Sequence, residues 1–333
     1  MALRKITGQD RAIRILFGTI KRNRIPPAIL LSGDRGIGKR LAALNYAKAI
    51  NCLQPVDFDC CDRCISCRKI DHDNHPDVLT ITLQNMGDKL DLKKRETKDI
   101  NRYEIPIEAV RKIEEMLSFK PSEGNKKIVI IDDADTMNDH AANAFLKTLE
   151  EPPSDSVLLL ISPNPDALPA TVMSRCINMR FYPLSLKQCR EVVSKSIDTK
   201  DIQSLLYLSM GRPGFALSED FAKQNKRFLD LFDNMLSGTS KDVWADKGEM
   251  KSWLDIAFVF LRDKAVYAVT NEEHCLILKN QRSMEKSKDI DIKNILDVYH
   301  SMQNIRGLLD FNLNKSITWN YVASIMKKVI GNG

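Results

Sequence analysis

The chain has 333 residues, 43% of them hydrophobic and 28% charged, and 50 basic against 44 acidic side chains leave a formal charge of +6. This composition excludes a disordered tail and predicts two or three globular domains, and so small a basic excess does not by itself indicate a DNA-binding surface. No apolar run approaches the roughly 18 residues needed to cross a bilayer. The first ten residues carry charge early and lack an apolar signal segment, so a cytoplasmic protein is expected.

Helical spacing of Ile13, Leu16, Phe17 and Ile20 predicts the first helix. After Pro26 and Pro27, the run Ala28-Ile29-Leu30-Leu31 is too short for a helix and reads as a buried strand. A glycine-rich loop follows and opens a helix over residues 38–50, with Leu41, Leu44 and Ala47 on one face. Residues 77–82 form the next predicted strand, and the polar, lysine-rich stretch 84–102 reads as an exposed loop. Ile107, Val110, Ile113 and Leu117 mark an amphipathic helix. Residues 128–131 form a buried strand ending in acid. A helix over 138–150, striped by Ala142, Phe145, Leu146 and Leu149, is stopped by Pro152 and Pro153. Residues 157–161 and 177–181 supply two more strands.

Strands alternating with helices through residue 180 predict an α/β core with a parallel sheet covered on both faces. Beyond Pro183 the strand signals stop. An all-α remainder is expected, with turns near Gly211–Pro213 and Gly238 and a further break at Gly248. Domain boundaries are placed at 1–183, 184–240 and 241–333. In the last of these, Trp253, Leu254, Ile256, Ala257, Phe260 and Leu261 form an apolar face, suited either to packing against another subunit or to the domain's own core.

The loop Gly33-Asp34-Arg35-Gly36-Ile37-Gly38-Lys39-Arg40 lies between a strand and a helix, the setting a phosphate-binding loop requires. Gly33, Gly36 and Gly38 let backbone N–H groups turn toward a phosphate, and Lys39 adds a full positive charge. Such loops end in Ser or Thr, whose hydroxyl ligates Mg²⁺; here Arg40 occupies that place, which puts hydrolysis in this site, and its use of ATP and Mg²⁺, in question. Asp132 and Asp133, at the end of their strand, either face the phosphate loop as Mg²⁺ or water ligands or simply begin the next loop. Cys52, Cys61, Cys64 and Cys67 make a C-x8-C-x2-C-x2-C pattern that suits a closed, structural Zn²⁺ site. Cys60 is an alternative to Cys61, and His72 and His75 read as surface or capping residues.

With these residues in hand, the chain resembles the clamp-loader family of AAA+ proteins, of which the bacterial DNA polymerase III delta-prime and gamma/tau subunits are members. The run Ala141-Ala142-Asn143-Ala144-Phe145-Leu146-Lys147-Thr148-Leu149-Glu150-Glu151-Pro152-Pro153 is similar to the family's shared motif, and Ser174-Arg175-Cys176 to its SRC tripeptide. His75-Pro76-Asp77 and Ile6-Thr7-Gly8-Gln9 match two further family segments. The resemblance implies an AAA+ P-loop core with a zinc module near residues 50–70, a helical lid and a helical collar that joins a hetero-oligomer. It implies that Arg175 is an arginine finger reaching the ATP of a neighbouring subunit. Ser162 falls at sensor 1 and Arg212 at sensor 2, although both also suit turn chemistry. Expected partners are the gamma/tau and delta subunits, with the sliding clamp and primed DNA within the complex, and no membrane.

Arg40 in the loop and Asp133 in place of a glutamate depart from the motor members, and together with the length they favour the delta-prime type. An active gamma-like motor, a free-standing AAA+ remodelling ATPase and a zinc-dependent nucleic-acid binding module are the alternatives.

Overall fold

The computed structural model describes residues 2–92, 104–196, 206, 209–218, 227, 230–232, 234–235, 244, 247–277, 291–309 and 313–330. Two compact units emerge, one comprising Met1–Val192 with Gly211–Gly214, the other Val193–Met210 with Phe215–Gly333.

The first unit is built on five parallel strands: β1 (Ala28–Ser32), β2 (Val78–Ile81), β3 (Lys127–Ile131), β4 (Ser156–Ser162) and β5 (Ile177–Arg180). Their order across the sheet is β2-β3-β4-β1-β5, and each pairing is parallel. The helices of this unit are α1 (Asp10–Lys21), α2 (Lys39–Asn51), α3 (Ile65–Asp71), α4 (Met86–Lys89), α5 (Ile107–Leu117), α6 (Asp139–Glu150), α7 (Ala170–Met173) and α8 (Leu186–Val193). Side chains alternate across a strand, and the central strands are apolar at every other position on both faces. Ile29, Leu31, Ile128, Ile130, Leu159 and Ile161 pack with α1 and α2. Leu30, Val129, Ile131, Leu158 and Leu160 pack with α5 and α6 on the other side. Full burial of each such side chain stabilises the fold by about 1.5–3 kcal/mol, so the two covered faces are its main support. This is the α/β sheet that the alternating pattern predicts.

Two local expectations need correction. Of the expected face Leu41, Leu44 and Ala47, Ala47 is buried and Leu44 half-buried against the core, but Leu41 is exposed, and α2 also buries Ala42, Ala43, Tyr46 and Ile50. The alanines at 42, 43 and 47 let α2 lie close to the sheet, a packing preference that an apolar stripe alone does not reveal. Nor is the stretch after β2 a plain exposed loop. Met86, Leu90 and Leu92 are buried against the α5–α6 side of the sheet, and α4 forms a single turn between them. Residues 93–103 lie outside the described residues, as does the turn expected at Gly238. Gly248 lies in the first turn of a long helix, Lys247–Thr270, and breaks nothing.

Asp77 shows why His75-Pro76-Asp77 precedes β2. Its carboxylate accepts the backbone N–H groups of Ser122, Glu123 and Gly124 at 2.8, 2.7 and 2.7 Å, and Lys127 Nζ stands 3.8 Å away. His75 Nδ1 accepts the N–H of Asp77 at 3.1 Å, and its Nε2 lies 3.2 Å from Ser66 Oγ, so this buried histidine caps a turn. Burial works against the Asp77 charge, but the three N–H donors outweigh it and hold the carboxyl below its ordinary range. Asp77→Ala is expected to cost about 3 kcal/mol at neutral pH. Because the folded value lies below the unfolded value of about 3.9, this contribution is complete above about pH 4 and is lost as pH falls through the folded value. Urea unfolding of wild type and variant at pH 7 and near pH 3 should show the gap narrowing in acid. A gap that does not change with pH contradicts this role.

The second unit is helical where it is described. Its long helices are Lys247–Thr270, Ile292–Leu308 and Lys315–Ile330. Trp253, Leu254, Ile256, Ala257, Phe260 and Leu261 are buried in this unit's own core with Trp244 and Trp319. The three indoles meet with ring centroids 4.8–6.1 Å apart. Among the described residues no helix is long and apolar enough to cross a membrane.

Candidate functional site

The strand order brings the C-terminal ends of β1, β4 and β3 side by side, where an open parallel sheet binds its ligand. The glycine-rich loop leaves β1 at Gly33, whose N–H donates to Ser162 O at the end of β4 (3.2 Å). Gly33 has φ +131°, and a Cβ there would overlap the carbonyl oxygen of Phe181, so only glycine fits. Gly36 and Gly38 also have positive φ, and Gly38 leads directly into α2. Lys39 is buried beneath the loop and donates to the carbonyls of Gly33 and, at 2.7 Å, Asp34. Burial pushes its ammonium down to about 8, against the opposing pull of Asp132.

The acids at the end of β3 face arginines of this loop. Arg35 Nη2 lies 2.8 Å from Asp133 Oδ1, and Arg40 Nη1 lies 4.0 Å from Asp132 Oδ2. Burial, followed by the neighbouring Asp133 charge, raises the Asp132 carboxyl above its ordinary range. Asp133 adopts left-handed φ as the residue before a 3-10 turn, Ala134–Thr136. Ser162 is fully buried, and its Oγ accepts the N–H of Asn164 at 3.0 Å. Arg212 belongs to Gly211–Gly214, a segment tied to the glycine-rich loop: the Gly214 N–H donates to Gly36 O at 2.8 Å, and the Leu184 N–H donates to Gly211 O at 2.7 Å. The structure thus gathers Gly33, Gly36, Gly38, Lys39, Arg40, Asp132, Asp133 and Ser162 at one sheet edge and tethers the Arg212 segment to them.

Sequence reasoning missed three residues here. Arg35 has no role in the sequence reading, although a cation three residues after the strand can reach the acids on β3. Asp135 lies beside Ser162, and burial raises its carboxyl while its own backbone amide and the Ser162 hydroxyl oppose the shift. Gln9 clamps the base of the loop. Its Nε2 donates to Tyr182 O (2.5 Å) and Ile37 O (3.4 Å), and its Oε1 accepts the Tyr182 N–H at 3.0 Å. The pairing of Gly8 and Gln9 was legible as a motif, but its job was not.

Arg175 stands apart from this cluster, just after α7. Its guanidinium Nη1 donates to Thr171 O at 2.8 Å and to Ser174 Oγ at 3.4 Å, and Nη2 donates to Glu150 Oε1 at 2.5 Å. About a third of the side chain is exposed.

The cysteines form a second centre. Cys52 follows α2, Cys64 caps α3 by accepting the Cys67 N–H, and Cys67 lies within α3. The Sγ atoms of Cys52, Cys61, Cys64 and Cys67 all lie within 4.8 Å of one another, with Cys52 3.9 Å from Cys64 and 3.7 Å from Cys67. A tetrahedron with metal–sulfur bonds of about 2.3 Å has edges of about 3.8 Å, so the four sulfurs fit one ion such as zinc. Backbone N–H groups of Cys61, Cys64 and Cys67 point at the sulfurs of Cys52, Cys61 and Cys64 at 3.3–3.4 Å, which favours thiolate character. Burial opposes this and pushes the Cys52 thiol up to about 12. Cys60 is not in the set; its thiol faces Asp62 at 3.6 Å.

Around the sulfurs, the module grips the core. Asp59 accepts the N–H groups of Leu3 and Arg4 (both 3.0 Å) and of Cys60 (2.8 Å). Lys48, buried on α2, reaches Asp62 at 2.6 Å and Asp71 at 2.9 Å. Burial works against the Lys48 charge, but the Asp62 and Asp71 carboxylates outweigh it and push the ammonium above its ordinary range.

The family profile described as DNA polymerase III, delta subunit, matches residues 8–185. The delta-prime subunit of Bacillus subtilis is 27% identical over 327 residues, covering 91% of this chain and 94% of that protein. The tau/gamma subunit of Haemophilus influenzae is 32% identical over 197 residues, but those cover 59% of this chain and only 26% of its own length. A solved gamma subunit-related protein of DNA polymerase III from Thermotoga maritima aligns with 96% of this chain and 99% of its own, at 19% identity and a TM-score of 0.47. The match spans more than half the chain, and the relative aligned along nearly its whole length is a delta-prime subunit. The chain belongs to the DNA polymerase III delta-prime family of clamp-loader subunits.

Proposed function

We propose that this subunit acts in a clamp loader by lending Arg175 to the nucleotide of a neighbouring subunit while turning over little ATP itself. The observation that carries this reading is the arginine pairing at the phosphate loop. Arg40 occupies the position from which a hydroxyl would hold Mg²⁺, and a guanidinium cannot ligate a cation. Asp132 faces Arg40 and Asp133 is engaged by Arg35. Carboxylates balanced in this way are poor Mg²⁺ ligands, and Asp133 is one methylene shorter than the glutamate that would activate water. The loop's N–H groups and Lys39 still suit a phosphate, so nucleotide binding without turnover is compatible with the site.

The partners in this reading are gamma/tau and delta subunits, with the sliding clamp and primed DNA engaged by the whole complex. Residues 184–240 serve as the lid and 241–333 as the collar that joins the subunits. Zn²⁺ held by Cys52, Cys61, Cys64 and Cys67 is structural, since four thiolates leave no coordination position open for chemistry.

The purified chain is expected to hydrolyse ATP in the presence of Mg²⁺ no faster than about 10⁻³ s⁻¹, the range of unassisted phosphate-loop hydrolysis. Mixed with delta and gamma/tau subunits of the same organism, it should enter a hetero-oligomer on a sizing column with light scattering. Turnover by the lone chain at motor rates would move the reading to a gamma-like ATPase. Failure to enter any complex would end it.

A further inference from the structure

We propose that Glu150 is a positioning residue for Arg175, fixing the guanidinium in the attitude from which it meets a neighbouring subunit's nucleotide; this rests on the finger reading above. Glu150 is the last residue of α6, and its Oε1 accepts from Arg175 Nη2 at 2.5 Å. Thr171 O and Ser174 Oγ hold Nη1 from the other element, α7 and its cap. The guanidinium is therefore pinned between the ends of two helices rather than extended freely into solvent. A guanidinium carries five N–H donors in one plane. The contacts described here leave donors available for phosphate oxygens.

Helix stability does not explain a glutamate at this position. The C-terminal end of a helix carries partial negative charge, where a carboxylate is disfavoured. Half of the Glu150 side chain is exposed, and ion pairs of that kind add little to folding. What the pair does achieve is orientation. A free arginine side chain samples many rotamers, and a finger that must be ordered during the reaction loses part of its effect on the rate. Glu150 does not touch the nucleotide in this proposal; it acts only through Arg175.

The test uses the complete loader, assembled from this subunit with its gamma/tau and delta partners and assayed for ATPase on clamp and primed DNA. Glu150→Ala is expected to lower kcat about tenfold with KM for ATP near wild type. Glu150→Gln keeps an oxygen acceptor and should stay within about threefold of wild type. The double variant Glu150→Ala with Arg175→Ala should match Arg175→Ala alone, because nothing is left to position. Sizing and urea midpoints should be unchanged for each Glu150 variant. An unchanged or raised kcat in Glu150→Ala overturns the proposal, as does a further loss in the Arg175→Ala background. If Arg175→Ala itself turns over normally, the finger reading fails and Glu150's role falls with it; if Arg175→Ala is impaired and Glu150→Ala is not, only the positioning role falls.

Discussion

Replacing Arg175 with alanine is expected to lower the ATPase rate of the assembled loader by about 10³-fold while the complex still forms. The size follows from what an arginine supplies in trans to phosphoryl transfer. Negative charge accumulates on the transferred group, and a planar guanidinium neutralises it at fixed hydrogen-bond geometry. The same substitution should barely affect the subunit alone. Arg175 is partly exposed and its ion pair is with the half-exposed Glu150, so the change in unfolding free energy should stay within about 1 kcal/mol. Arg175→Lys should recover only part of the rate, since an ammonium is a point charge without the forked donors. Single-turnover ATPase with the assembled complex checks the rate, and urea unfolding checks the fold. A substituted complex that hydrolyses ATP at the wild-type rate removes the finger from the mechanism.

The parts of this molecule that depend on near neighbours along the chain were readable in advance. β1, β3 and β4 fell where short apolar runs end at turn residues, because a strand buried on both faces needs only a handful of consecutive apolar side chains; β5, at the edge of the sheet, buries only Met179. The glycine-rich turn between β1 and α2 and the cysteine cluster were legible for a similar reason: each depends on fixed spacing over a short stretch of chain. Other features depend on partners far away in sequence. Leu41 lies on the predicted apolar stripe of α2, yet the sheet selected the alanine-rich face. Met86, Leu90 and Leu92 belong to a stretch whose charge made it read as exposed, and their burial depends on the distant α5 and α6 residues they cluster with. The choice between Cys60 and Cys61 is settled by how the chain turns before α3, where Asp62 takes up a left-handed φ of 59°. Glu150 was read as part of a motif, but its contact with Arg175 joins residues 25 positions apart, which no periodicity reports.

If the four cysteines hold zinc as proposed, stripping it should loosen a defined part of the molecule and leave the sheet folded. The cysteine module is a short excursion between α2 and β2, held to the core by its sulfurs, by Asp59 and by the salt links of Lys48 to Asp62 and Asp71. Without an ion the four sulfurs lose their shared partner, and the turn that presents Asp59 and Asp62 loses its anchor. Asp59 then releases the N–H groups of Leu3 and Arg4, and the Lys48 charge is left on α2 without its counter-ions. An uncompensated buried charge costs about 3–5 kcal/mol, so loss of the module should lower stability by several kcal/mol even though the central strands keep their packing. The measurement is hydrogen exchange of the purified, reduced chain before and after a zinc chelator, with released metal followed by a colorimetric dye. Amides of residues 52–71 and 3–6 should gain exchange, while those of β1, β3 and β4 stay protected. Cys67→Ser should reproduce the pattern without chelator, because Cys67 is fully buried and its sulfur lies 3.7 Å from that of Cys52. Zinc absent from the reduced protein would rule out this centre; exchange rising equally in the sheet would show that the ion supports the whole fold and not the module alone.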